Sequence, residues 1–463
     1  MLRRIISGFV ANGFGQAVTI FIQIFSLPIF LFYWDMATYG WWILLSTLPA
    51  FLSMADVGLV QTAGNKMTMA MGRGDVPEAN RIFHSALVFM LLVCGVLGGL
   101  LTPVALWGPL PDYVTDDKRI ALVAILGSVL VTFFLALAEW LFKSTGRYAT
   151  GTVLSDSARL AEWGGNIGGV ILFRTFAGVA VCGFLARLAV TGIGVWLSRR
   201  DSRGLTWGTK LAQKSEIMTM IRPAMFFLAF PLSNALSFQG VTLVVGSLLG
   251  TASVTLFASY RTIARVAVQL TGMFSHALWP EFGRLFGHGG AQAIEKLYRH
   301  CALLGAFQAL ALSAVLYFAA PWLLRIWTHG KIGFVPVLMM WMLAYAAIGG
   351  IWHVPRTLLL STNQHIGLAG WSLAASALSV SLAYVLGQTW QVEGIAAAML
   401  TSECFIALVS VYLAHRLFHP TPSVKGYVSE GVESMTNRLD LAKIFAVAIA
   451  IGIVFYYLAH RTA

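Results

Sequence analysis

The chain has 463 residues, 58% of them hydrophobic and 11% charged, with a formal net charge of +12 and a mean hydropathy of +0.77. That composition excludes a soluble domain and identifies a polytopic membrane protein. The positive balance does not point to nucleic acid, because the basic residues are scattered through short loops with no stretch long enough for a binding module.

A hydrocarbon core about 30 Å thick takes about 20 apolar residues per helical crossing. Unbroken runs of that length recur along the chain, which predicts an all-α fold rather than the alternating pattern of a barrel. Met1-Leu2-Arg3-Arg4 opens like a signal peptide, but the apolar run behind it is too long and lacks a small-residue cleavage site, so it is expected to remain as the first span. Spans fall near 8–34, 40–62, 82–107, 119–142, 150–173 and 176–198. A basic linker follows, in which Thr206-Trp207-Gly208-Thr209-Lys210-Leu211 is predicted to form an amphipathic helix on the inner surface. The second series lies near 223–248, 254–279, 297–322, 334–357, 366–387 and 393–414, with a shorter span near 441–459. Cys94, Cys182, Cys301 and Cys404 all fall inside apolar runs without metal spacing and read as small packing residues.

With the N-terminus in the cytoplasm, nineteen of the 31 lysines and arginines fall on inner segments and six on outer ones. This asymmetry sets the orientation. Tyr33, Trp34, Tyr39, Trp41 and Trp42 mark one outer boundary.

The chain also repeats itself. Gly72-Arg73-Gly74-Asp75 aligns with Gly287-His288-Gly289-Gly290 at an offset of 289 − 74 = 215, and Ser144-Thr145-Gly146-Arg147-Tyr148 aligns with Ser361-Thr362-Asn363-Gln364-His365 at 361 − 144 = 217. Because six spans are an even number, both halves enter the membrane in the same direction, the parallel-repeat plan of many transporters. The expected organisation is an N-terminal six-helix lobe at 1–198, a cytoplasmic linker at 199–221, a C-terminal six-helix lobe at 222–418, and a cytoplasmic segment with an extra transmembrane helix at 419–463.

An ionisable group near mid-membrane costs about 2.5 to 3.5 kcal/mol on insertion scales, so each should face a cavity or a partner. Asp156, Arg159 and Glu162 are spaced three apart, so the arginine can be bracketed by two carboxylates. That arrangement is either a neutralised packing triad or a proton-linked or substrate site, with one carboxylate to spare. Arg261 and Arg265, four apart, share a helical face and repel, so something anionic should stand opposite them. An arginine fork matches a diphosphate; the alternatives are pairing with Glu403 or snorkelling to an interface. Arg356 follows Pro355, which can bend its span, and Glu139 is its repeat mate at 356 − 139 = 217. The two can form a gate or simply solvate helix ends. Asp56 lies in Ala55-Asp56-Val57-Gly58-Leu59 and reads as a structural hydrogen-bonding group or a proton carrier.

Asn12-Gly13 with Gln16 and Pro28, then Tyr39-Gly40-Trp41-Trp42, Ala55-Asp56-Val57-Gly58-Leu59 and Gly72-Arg73-Gly74-Asp75, resemble the polysaccharide-transport branch of the multidrug, oligosaccharidyl-lipid and polysaccharide exporter superfamily. The resemblance implies a flippase for undecaprenyl-diphosphate-linked oligosaccharide repeat units in a bacterial inner membrane, working by alternating access in O-antigen, exopolysaccharide or capsule assembly. It implies membrane lipids, a polysaccharide polymerase and chain-length proteins as partners. On this reading the anionic substrate engages Arg261, Arg265 and Arg356, while Asp56, Glu139, Asp156, Arg159, Glu162 and Glu403 are the coupling or gating candidates. The rival readings are a multidrug antiporter of the same superfamily, a peptidoglycan-precursor flippase on a fourteen-span plan, and a membrane enzyme. The longest outer loop, about 108–118, offers Asp112, Asp116 and Asp117 without a metal or nucleophile pattern. No glycine loop followed by lysine suggests ATP use, and neither a cofactor nor a metal is expected.

Overall fold

The computed structural model describes residues 2–109, 111–201, 203–278, 282, 291–362 and 366–418. Among them the regular structure is helical throughout, as the apolar runs require: backbone groups in hydrocarbon must be satisfied within the helix. The helices are α1 (Leu2–Tyr33), α2 (Met36–Leu45), α3 (Leu48–Leu52), α4 (Leu59–Gly72), α5 (Val76–Trp107), α6 (Asp116–Ser144), α7 (Tyr148–Leu172) and α8 (Phe176–Arg200). They continue as α9 (Lys214–Ala235), α10 (Val241–Leu249), α11 (Thr251–Ala277), α12 (Ala291–Trp327), α13 (Pro336–Ser361) and α14 (Ile366–Phe418). The expected span near 441–459 lies outside the described residues.

Among the described residues eight helices are long and apolar enough to cross a membrane, or nine with the bent pair Met36–Asp56 and Leu59–Gly72 counted as one broken span. Neither α7 nor α11 is in that set. These two helices carry the clustered charges Asp156, Arg159 and Glu162, and Arg261 and Arg265. α14 is two helices joined at Gln391, whose backbone (φ 52, ψ −136) is non-helical, so it supplies both the eleventh and the twelfth expected spans.

The repeat offset carries over to the elements. α6 ends at Ser144 and α13 at Ser361, 361 − 144 = 217. The chain divides into one unit of residues 1–235 with 326–332, and another of 236–325 with 333–463. In the first, α8 lies against α6 and α7, α1 lies on α7, and α4, α5, α6 and α9 share a core around Phe83, Met90, Leu137, Leu141 and Met220. In the second, α13 packs on α11 and α14, and α10 packs on α11 and α14.

Two loops are fixed by polar side chains. Asp117 accepts the backbone N–H groups of Phe176 and Ala177, both at 2.9 Å, placing a carboxylate on the exposed amides that open α8. The linker differs from expectation: residues 205–208 have no regular structure and 209–211 form a turn, not an amphipathic helix. The reason is α5. Asn80 accepts the Thr206 N–H at 2.8 Å and donates to Gly204 O at 2.8 Å, His84 Nε2 meets Thr206 O at 2.8 Å, and Leu211 N donates to His84 Nδ1 at 3.1 Å. Ser85 Oγ accepts from Gln213 N at 3.0 Å. With its peptide groups committed to these side chains, the segment has no need of helical bonds.

Candidate functional site

Charged residues inside the spans form small local clusters within each unit. In the second unit one cluster is built on a widened turn, the π-helical segment Leu236–Gly240 between α9 and α10. There the Phe238 carbonyl accepts from Thr242 Oγ1 at 2.7 Å and from Arg261 Nη1 at 2.8 Å. Arg261 Nη2 donates to Thr242 Oγ1 at 2.8 Å. The Phe238 ring lies 5.6 Å from the Arg261 guanidinium and 5.0 Å from that of Arg265, and Phe257 lies 5.4 Å from Arg261. The like-charged pair on α11 is therefore held against aromatic faces, a carbonyl and a hydroxyl. No carboxylate lies within 4 Å of either guanidinium among the described residues. Arg261 is 8% exposed with both terminal nitrogens engaged, whereas Arg265 is only half-buried. A ligand would accordingly be met by Arg265, with Arg261 bracing the turn.

Arg356 and Glu403 are joined through a residue that the sequence reading passed over. Trp352 donates its indole N–H to Glu403 Oε1 at 2.7 Å, and its ring lies 5.5 Å from the Arg356 guanidinium. The signal was present, since Trp352 stands four residues before Arg356 on the same face of α13. Glu403 is therefore not the partner of Arg261 and Arg265; its carboxylate is held by the indole and approaches Gly349, where a Cβ would sit 3.0 Å from Oε1. His353 Nδ1 stands 3.4 Å from Thr271 Oγ1.

In the first unit the expected bracket around Arg159 does not form. Arg159 pairs with Asp156 at 2.8 Å and donates to Gly15 O at 3.0 Å, while Glu162 is taken by Arg187 from α8. Arg187 supplies the second cation, so neither carboxylate is left over. Gly15 leaves room for this contact: a Cβ there would lie 2.4 Å from Asp156 Oδ2 and force the carboxylate to move. Nearby, Trp163 donates to Ser26 Oγ at 2.8 Å and its ring meets Phe21 edge-on at 5.2 Å. Glu139 pairs with Lys143 one turn along its own helix at 2.6 Å. Asp56 accepts the Gly58 N–H at 2.9 Å where the second span breaks, at Val57 (φ 53) and Gly58 (φ 75). A β-branched residue with positive φ is a strained conformation, held here by the turn that Asp56 closes.

No family model matches the sequence, and no curated protein matches it closely. Solved structures do resemble it. An inward-facing multidrug resistance MATE family transporter of the MOP superfamily superposes with a TM-score of 0.69 at 15% identity, covering 86% of this chain and 94% of that one. The outward-facing form of such a transporter gives 0.63 at 13% identity, covering 90% and 95%. A MOP superfamily transporter from Pyrococcus furiosus, described by the reverse polarity of its binding pocket and a suggested different function, gives 0.60 at 13% identity, also covering 90% and 95%. The chain thus has the fold of the MATE transporters of the MOP superfamily.

Proposed function

We propose that this chain is a flippase that moves undecaprenyl-diphosphate-linked oligosaccharide across a bacterial inner membrane by alternating access, with the N-terminus in the cytoplasm. The observation that carries this reading is the Arg261 and Arg265 pair: two guanidiniums in a membrane helix, set on aromatic faces, with no carboxylate within 4 Å among the described residues. Two uncompensated cations at that depth are costly unless an anion visits them. A diphosphate supplies both the charge and the oxygen geometry that an arginine fork pairs with. Arg356, stacked near Trp352, extends the basic surface of the same unit. The lipid tail remains in the bilayer while the head group crosses, and the polymerase and chain-length proteins of surface polysaccharide assembly are its partners. Glu403 is the first choice for ion coupling, because Asp156, Glu162 and Glu139 are each paired with a cation and Asp56 caps a turn.

The second reading is a multidrug antiporter, favoured by the description of the fold neighbours as multidrug resistance transporters. A cation site would fall to Asp156 and Glu162 beside Trp163 and Phe21, but both acids are already neutralised by Arg159 and Arg187. The neighbour described by a reversed pocket polarity supports the view that this fold serves substrates of more than one charge.

The test is equilibrium binding to purified protein in nanodiscs, comparing undecaprenyl-diphosphate-linked oligosaccharide with a cationic dye. Saturable binding of the lipid-linked sugar is expected, weakened by at least about tenfold in the Arg261→Ala/Arg265→Ala double variant, because the charge-assisted contact through Arg265, on the turn that Arg261 braces, contributes about 1.5–3 kcal/mol. Dye binding alone, unchanged in the double variant, would overturn the proposal in favour of the antiporter.

A further inference from the structure

The first unit carries a groove that none of these charge clusters uses. It measures about 470 Å³ and is lined by Leu87 and Leu91 of α5, Val131 and Phe134 of α6, and the face of α8 from Leu188 to Arg199, with Trp207 and Gly208 of the linker closing one end. Leu91 and Leu188 are 46% and 42% exposed, so the groove opens sideways rather than into the core. From Leu188 to Arg199 along α8 is about 16 Å at 1.5 Å per residue, close to half of the roughly 30 Å hydrocarbon core. An apolar channel of that length matches one leaflet.

Charge marks its linker end. The Arg199 guanidinium lies 5.7 Å from the Trp207 ring and that of Arg200 lies 5.5 Å from Trp196. Neither has a carboxylate within 4 Å among the described residues, because the nearby Asp201 is taken by Arg147. Trp207 is fixed in place by its own N–H donating to Ser198 Oγ at 2.9 Å, and the linker behind it is fastened by His84 and Asn80. This end wall is therefore a built feature.

We propose that this groove is a resident site for an anionic phospholipid, one acyl chain lying along α8 and the phosphate meeting Arg199 at the level of the Trp207 ring. Both halves of the ligand are specified. The length and apolar lining select a single-leaflet chain, and the free guanidiniums over interfacial indoles select an anionic head group. A transmembrane helix from a partner would need a face spanning the whole bilayer, about twice what the groove offers. The site is independent of the transported substrate, since every group in it belongs to the first unit and none to the arginine pair on α11.

The test uses the purified full-length chain, delipidated in detergent and titrated with phosphatidylglycerol or with phosphatidylcholine of the same acyl chains, read by native mass spectrometry. One phosphatidylglycerol is expected to bind with a preference of about fivefold over phosphatidylcholine, the upper range for one ion pair at an exposed site. Arg199→Gln is expected to abolish the preference while leaving apolar binding of both lipids. Gly192→Phe tests the groove itself. Gly192 lines it and a Cβ there would meet no atom within 4 Å, so a side chain at this position enters the groove. Loss of both lipids in that variant, with an unchanged unfolding temperature, is expected. Equal binding of the two lipids by the wild-type protein, or full phosphatidylglycerol binding by Gly192→Phe, would overturn the proposal, as would an equal loss in the control Arg299→Gln.

Discussion

Arg187 decides the chemistry of the first unit. Helical spacing alone sets Asp156 and Glu162 around Arg159, and an acid-rich triad in a membrane suggests a proton carrier. The cation from α8 converts the triad into two separate ion pairs, Asp156 with Arg159 and Glu162 with Arg187. Both members of the second pair are largely shielded, with side-chain exposures of 14% for Arg187 and 24% for Glu162. Removing one member leaves the other charged and unpaired, a change of about 3 kcal/mol. Glu162→Leu is thus expected to lower the unfolding temperature and the yield of folded protein, and Glu162→Leu/Arg187→Leu to recover most of the loss. Thermal unfolding of the two variants in the same detergent checks this. A double variant no more stable than the single one would mean that the pair does not carry the packing of α7 on α8.

At the scale of elements, helices in this chain are interrupted where backbone groups are put to use. The second span breaks at residues 56–58, where Asp56 accepts a peptide N–H, and the seventh expected span widens at Leu236–Gly240, where the freed Phe238 carbonyl receives Arg261. Irregular backbone at membrane depth is tolerated when its groups are bonded in this way. The kink at Gln391 is of another kind. Gln391 is exposed, and its φ of 52 with ψ of −136 falls where glycine is at ease and other residues are strained by about 1–3 kcal/mol. Gln391→Gly should therefore stabilise the protein, raising its unfolding temperature, since the side chain given up packs against little. A fall in that temperature would show that helix propensity, not backbone strain, dominates at the joint between the last two described spans.

For the whole molecule, the hydropathy runs gave the all-helical architecture and nearly every span, because the membrane forces each crossing to be long, apolar and self-bonded. The repeat likewise showed in the sequence and reappears in the helix ends Ser144 and Ser361. Partnerships across helices were much less legible. Nothing local tells that Glu162 meets Arg187 rather than Arg159, or that His84 fastens a linker 122 residues away, since these depend on which helix faces pack. Orientation is a property of the same global kind, and the expectation of a cytoplasmic N-terminus rests on summed charge: nineteen basic residues on the segments expected inside against six on those expected outside. At the end expected outside, Lys118 Nζ lies 3.9 Å from the Trp41 ring and donates to Tyr113 O at 2.7 Å. In a variant in which Cys94, Cys182, Cys301 and Cys404 are replaced by alanine, Tyr113→Cys should react with a membrane-impermeant maleimide on intact cells. Lys210→Cys, in the linker fastened to α5, should react only after the membrane is opened. Both positions are exposed, so failure to label cannot be a matter of burial. The reverse pattern would invert the protein in the membrane, moving the Arg199 end of the lipid groove to the outer leaflet and reversing the direction in which the head group enters.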